Sequence, residues 1–185
     1  MFEDVADLNF LVTVFFIVVP AYMANGFALL LGGGKPLDCG KKFSDGRRIF
    51  GEGKTVKGAF AGITFGTLGM FLELLILNLT IPSLNLQWLY LLLGFFVALG
   101  AVLGDVLGSF IKRRLGLPRG APLPPLDQLD FILGAFLFAY LFNNTVISLP
   151  HFSLTVFLVV VVATPVAHFV GCCIAYKVGW KKEPW

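Results

Sequence analysis

Charge is scarce in this chain: 14% of its 185 residues are Asp, Glu, Lys or Arg, and none of the basic ones precedes Lys35. Soluble globular domains carry about 25% charged residues, so that class is excluded. The start is acidic (Glu3, Asp4, Asp7) and lacks a basic n-region and a small-residue cleavage site. It reads as a retained first span, not a cleaved signal peptide. Paired cysteine spacing is also missing. Cys39 stands alone in a polar stretch, and Cys172 and Cys173 are adjacent in an apolar one, which excludes a disulfide framework or a Cys-based metal site and leaves reduced thiols. No internal repeat is present, and an odd number of apolar segments leaves no matching halves for an inverted-repeat transporter.

What the chain has in quantity is apolar side chains, 57% of residues, with a mean hydropathy of +0.86. They fall into five blocks long enough to cross a bilayer, at about 9–31, 58–81, 86–110, 129–149 and 152–176. The expected fold class is an all-α integral membrane protein of five transmembrane helices, with residues 1–185 as a single domain. Seven basic residues lie in 32–57, four in 111–126 and three in the tail from Lys177, which accounts for all fourteen. Every one falls on the same side of a five-span arrangement. The positive-inside rule then predicts the N-terminus outside, with the C-terminus and both polar loops cytoplasmic. Gly100, Gly104 and Gly108 recur every four residues, as do Gly62 and Gly66, and such small-residue stripes predict close helix packing.

The polar residues that remain converge near the basic side. Asp105 sits inside the third apolar block with Ser109 and Lys112 on the same helix face and Arg113 beside them. Intramembrane carboxylates are costly and point to function. Asp127 and Asp130 share a face at the start of the next helix. One helix cap explains one of them but not a pair facing Asp105, so the three suit a hard divalent cation beside a phosphate-bearing substrate. In the first loop, Gly53-Lys54-Thr55 resembles the end of a P-loop, but Arg48 stands where that motif needs glycine and no strand precedes it. Lys54, Thr55 and Lys57 nevertheless open the second helix, whose N-terminus favours phosphate. Lys41 and Lys42 read as contacts to anionic headgroups. Asn25 lies at a depth similar to Asp105, and either lines the same cavity or makes an interhelical hydrogen bond. Glu73 is too far from the basic side for phosphate chemistry, and His168 reads as a packing histidine.

These residues resemble a known signature. Gly104-Asp105-x-x-Gly108-Ser109-x-x-Lys112-Arg113 followed by Asp127-x-x-Asp130 is similar to that of the membrane CTP-dependent cytidylyltransferases that make CDP-diacylglycerol. Their archaeal branch, the CDP-archaeol synthases, is the better match. It is echoed by Pro20-Ala21-Tyr22-x-Ala24-Asn25, Gly33-Gly34-x-Pro36-x-Asp38, Asp45-Gly46-Arg47-Arg48-x-Phe50-Gly51-x-Gly53-Lys54-Thr55 and Leu115-Gly116-x-x-Arg119-Gly120-Ala121-Pro122. The match runs from about Pro20 to Gly134. The bacterial-type Lys-Asp pair and Pro-Gly-His-Gly-Gly stretch are absent from 115–126, and Lys57 replaces a common Glu; both departures fit the archaeal branch.

The resemblance implies cytidylyl transfer from CTP to 2,3-bis-O-geranylgeranyl-sn-glycerol 1-phosphate, giving CDP-archaeol and pyrophosphate. It implies a Mg²⁺ ion on Asp105 and Asp127, with Asp130 as third ligand or close behind. Lys112, Arg113, Lys54 and Lys57 would hold phosphates, joined by Thr55, Ser109 and Asn25. The Gly32–Asp38 and Asp45–Arg48 stretches, with Gly33, Gly34, Asp45, Arg47 and Arg48 among them, would shape the nucleotide pocket. Partners are then CTP, an isoprenoid ether-lipid phosphate and the bilayer, with no nucleic acid. Two other readings compete. Asp45-Gly46-Arg47-Arg48 is faintly similar to CDP-alcohol phosphotransferases, whose further acids are missing, since residues 49–72 hold only Glu52. A small carrier would need polar residues at successive depths, whereas here they gather at one end.

Overall fold

A computed structural model describes residues 8–124, 126–146, 149 and 152–179. Glu3, Asp4, Asp7, Pro125, residues 150–151, Lys181, Lys182 and the side chain of His168 lie outside the described residues. Five helices make up the fold: α1 Leu8–Leu30, α2 Val56–Thr80, α3 Tyr90–Arg114, α4 Leu126–Thr145 and α5 Leu154–Lys177. All five contain stretches long and apolar enough to cross a membrane. Among the described residues there are no strands, only isolated bridges pairing Pro36 with Thr55 and Lys42 with Arg48.

Three boundaries differ from expectation, each for a local reason. The second connection is longer than four residues, because Pro82–Leu84 forms a 3-10 turn and Asn85 turns the chain at φ 45°. Asn78 staples this turn by exchanging two 3.1 Å hydrogen bonds with the backbone of Leu86. Helix α3 therefore starts at Tyr90, and it runs past Phe110 through Lys112, Arg113 and Arg114. Cations in the last turn complement the exposed carbonyl ends of a helix, so basic residues there extend it. Helix α4 begins at Leu126, which places Asp127 and Asp130 inside its first turns.

Bundle association in lipid depends on close van der Waals packing, and the glycine stripes supply it. A Cβ on Gly58 or Gly62 would meet the carbonyl oxygens of Ala28 or Ala24 at 2.7 Å, and one on Gly66 would meet that of Pro20 at the same distance. Helix α2 thus lies directly against the α1 backbone. On the other side, added methyls at Gly100 and Gly104 would strike the carbonyls of Gly134 and Asp130, so α3 and α4 approach backbone to backbone. Helix α3 contacts α1, α2 and α4, around a core that includes Phe16, Ile17, Met70, Leu93, Val97 and Ile132. Helix α5 packs more lightly on α4 and α1, and Tyr22 donates a 3.0 Å hydrogen bond to Thr164 across that seam.

Candidate active site

The first loop is organised by a buried carboxylate. Asp38 Oδ1 accepts from Arg48 Nη2 at 2.5 Å and from the Gly40 N–H at 3.0 Å. Its Oδ2 accepts from Arg48 Nε at 3.2 Å and from the N–H groups of Phe50 and Gly51 at 3.1 and 2.9 Å. The Arg48 guanidinium holds the Asp38 carboxyl far below the usual carboxylate range; burial opposes this, and the three N–H donors add to it. The same pairing raises the affinity of Arg48 for its proton. Thr55 closes the loop onto α2. Its hydroxyl oxygen caps the helix by accepting from Gly58 N–H, and it also accepts from Gly33 N–H, both at 3.1 Å.

A second group of contacts pins this loop to the end of α3. Arg47 Nη1 donates to the carbonyl of Arg114 at 2.7 Å, satisfying a helix C-terminus. Arg114 answers with a 2.7 Å ion pair to Asp45, and its guanidinium lies 4.8 and 5.1 Å from the Phe43 and Phe110 ring centroids. The two basic loops therefore meet at one end of the bundle.

Beneath them opens a cavity of about 940 Å³. Asn25 of α1, Lys54 and Thr55 at the α2 start, Asp105, Ser109, Lys112 and Arg113 of α3, and Asp127 and Asp130 of α4 all line it. Arg47 and Arg48 reach it from the loop, and Phe169 and Cys172 complete the α5 wall. Asn25 thus falls on the cavity side of its two readings. The carboxylates carry cations already. Lys54 Nζ touches both oxygens of Asp105 at 2.6 Å, and Lys112 Nζ touches both of Asp127 at 2.9 Å. Asp127 Oδ2 also accepts from Leu123 N–H at 2.9 Å. Asp130 lies within electrostatic reach of Asp105, Asp127 and Lys54, and its side chain rests on the bare face of Gly108. The glycine stripe is thereby both a packing surface and the reason the carboxylate of α4 can come so near α3.

Several expected members fall elsewhere. Gly33 and Gly34 are exposed at φ 119° and 75° and do not line the cavity; they make a turn that only glycine enters easily. Asp45 is likewise absent from the lining and serves as the Arg114 partner. Lys57 is exposed and outside the cavity; it lies in the first turn of α2, whereas Lys54 precedes the helix in the loop. Thr55 lines the cavity with its oxygen occupied by two backbone donors. Arg113 reaches the cavity with a buried Nε that has no hydrogen-bond partner among the described residues. Glu73 is half-buried, and its Oε2 also finds no partner among them.

The expected ligand set of three aspartates is not assembled: among the described residues no three His, Cys, Asp or Glu side chains are close enough to share a metal. The donors fit magnesium in another way. Mg²⁺ prefers one or two carboxylates, with phosphate oxygens and water filling the rest of its shell. Asp105 offers hard oxygens, held at 2.6 Å by the Lys54 ammonium. Gln128, which motif spacing did not single out, also lines the cavity next to Asp127; a lone polar residue gives no periodic signal.

The profile of the CarS-like family, CDP-archaeol synthase, matches residues 7–185. A CDP-archaeol synthase of Methanococcoides burtonii is 44% identical over 176 residues, covering 91% of this chain and 100% of that protein. One from Pyrococcus horikoshii is 43% identical over 96% of this chain and 99% of its own length. A solved structure described as an intramembrane enzyme for archaeal membrane lipids biosynthesis superimposes with a TM-score of 0.73 at 35% identity, over 86% of this chain and 92% of that one. On this footing the chain belongs to the CarS-like family of CDP-archaeol synthases.

Proposed function

We propose that this chain transfers a cytidylyl group from CTP to 2,3-bis-O-geranylgeranyl-sn-glycerol 1-phosphate, giving CDP-archaeol and pyrophosphate on the cytoplasmic side of the membrane. One observation carries the reading. Three carboxylates, two lysines and Arg113 converge on a single cavity, open to the end of the bundle where both basic loops lie. Its volume of about 940 Å³ is at the upper end for small-molecule sites, which run to about 1,000 Å³. That leaves room for a nucleotide and a lipid headgroup together. The cytoplasmic assignment rests on the fourteen Lys and Arg residues and the positive-inside rule.

In the reaction an oxygen of the lipid phosphate attacks the α-phosphorus of CTP. A new P–O bond forms, the bond from the α-phosphorus to its bridging oxygen breaks, and the electron pair departs on pyrophosphate. No general base is needed, because a phosphate monoester is already ionised near neutral pH. The protein's task is to bring two anions together and hold them in line. Arg113, with an unpartnered buried Nε, Lys112 and Lys54 would take the phosphates, and the Asp38–Arg48 unit would keep the loop wall of Phe50 and Gly51 in place. Asp105, supported by Asp127 and Asp130, would hold Mg²⁺. When bound, that ion neutralises phosphate charge and orients the triphosphate. The isoprenoid chains stay in the bilayer.

The test is pyrophosphate release by purified protein from CTP and the ether-lipid phosphate, with Asp105→Asn beside wild type. The variant is expected to keep its helical fold and lose about 100-fold or more in turnover, the scale of removing a preorganised charged group from such a site. Near-normal turnover would remove Asp105 from the chemistry.

A further inference from the structure

Both cavity lysines are committed to carboxylates, and each pair joins two different elements. Lys54, from the first loop, holds Asp105 on α3 at 2.6 Å, with side-chain exposures of 27% and 19%. Lys112, on α3, holds Asp127 on α4 at 2.9 Å, with exposures of 13% and 30%. In the reading proposed above, on which this inference rests, the same aspartates serve a divalent cation and the same lysines serve phosphates. Neither set is available while the pairs stand.

Charges this shielded resist being left alone, since breaking such a pair strands an ion that water reaches poorly. A divalent cation arriving by itself would have to drive an ammonium off its carboxylate with no anion to receive it. A triphosphate arriving by itself would draw the lysines away and face bare aspartates. Cation and triphosphate arriving together leave every group matched: carboxylates turn to the cation and ammonium groups to the phosphates. We propose that Lys54 and Lys112 are placeholder cations, positioned so that the site takes a divalent cation and CTP only as a pair. When metal pyrophosphate leaves, the lysines return to the aspartates and the empty site closes on itself electrically. The device needs no moving domain, only two side chains exchanging partners within one cavity.

The test follows Mn²⁺ binding to the full-length protein in detergent, through loss of the free-ion electron paramagnetic resonance signal. Without nucleotide, Lys54→Gln and Lys112→Gln are each expected to bind Mn²⁺ about tenfold or more tightly than wild type, a usual size for coupling between competing ligands. Lys54→Arg retains the charge and is expected to stay as weak as wild type. Adding Asp105→Asn to Lys54→Gln should cancel the gain. With CTP present, which itself chelates the ion, binding is read instead by equilibrium dialysis of radiolabelled CTP in excess Mn²⁺; the order reverses, wild type binding the manganese nucleotide better than either Gln variant. The two lysines are tested separately, so a misfolded variant of one leaves the other decisive. Equal nucleotide-free affinity in wild type and both Gln variants overturns the placeholder role, while binding of manganese–CTP by wild type keeps the proposed reaction intact. No manganese binding by any form, with or without CTP, overturns both.

Discussion

Replacing Asp38 by Ala should unfasten the first loop without unfolding the bundle. In the structure its two oxygens receive Arg48 and the N–H groups of Gly40, Phe50 and Gly51. Removal leaves three partly buried backbone donors without an acceptor, each worth about 1 kcal/mol, or about 3 kcal/mol together. Arg48 keeps 27% of its side chain exposed, so water takes it over and it adds little. About 3 kcal/mol corresponds to roughly 100-fold faster opening-limited exchange. Amide hydrogen exchange over residues 38–53 measures this directly, with α3 as the internal control. Asp38→Asn retains one oxygen for Phe50 and Gly51, and is expected to accelerate exchange only about tenfold.

The pH dependence carries the same signature. The folded carboxyl is held below its unfolded value, so the unfolded loop takes up its proton first as pH falls. The contribution is complete above about pH 3.9 and is lost as pH drops from there through the depressed folded value. After correction for intrinsic exchange, protection of 38–53 should decline in that window in wild type and stay flat in Asp38→Ala. Unchanged exchange in the Ala variant would refute the claim that this carboxylate organises the loop.

Other expectations follow from particular contacts. Gly104→Val should lower the thermal midpoint in detergent by overpacking of about 1–3 kcal/mol or more, because its side chain meets the Asp130 carbonyl, whereas Gly26→Ala, with nothing within 4 Å, should leave the midpoint unchanged. Lys112→Ala should reduce turnover about 100-fold, while Lys57→Ala stays within about threefold; similar losses in the two would restore Lys57 to the site. Arg114→Ala removes the Asp45 pair and the stacking on Phe43 and Phe110. It should destabilise the protein by about 1–2 kcal/mol, read from chemical denaturation.

The five spans were legible because lipid leaves the backbone few options, and apolar length is a direct measure of what can cross. The glycine stripes were legible for the same reason: close approach requires an absent side chain. Asp105, Asp127 and Asp130 stood out as charges placed where charge is costly, and the α3–α4 contact does bring them to one cavity. Other features had no such mark. Hydropathy suggested an end for α3 near Phe110, yet long basic side chains reach polar surroundings from inside a helix, and the helix continues to Arg114. Gly33 and Gly34 read as shaping the nucleotide pocket, but they stand outside the cavity and their backbone angles serve a turn. Asp45 reads as part of the nucleotide pocket and instead pairs with Arg114, while Arg47 both lines the cavity and clamps the loop to α3. Asp38 stood in the first-loop motif, but its structural role had no mark of its own, because its partners are backbone donors and one arginine two to thirteen residues away along an irregular loop.

Every role proposed for the cavity depends on transfer of the cytidylyl group itself. Purified protein would be given the ether-lipid phosphate and Mg²⁺ with CTP labelled at either the α- or the γ-phosphorus, and the lipid then extracted. α-Label is expected in the lipid and γ-label in released pyrophosphate. Label from the γ-position in the lipid, or from neither, would contradict it.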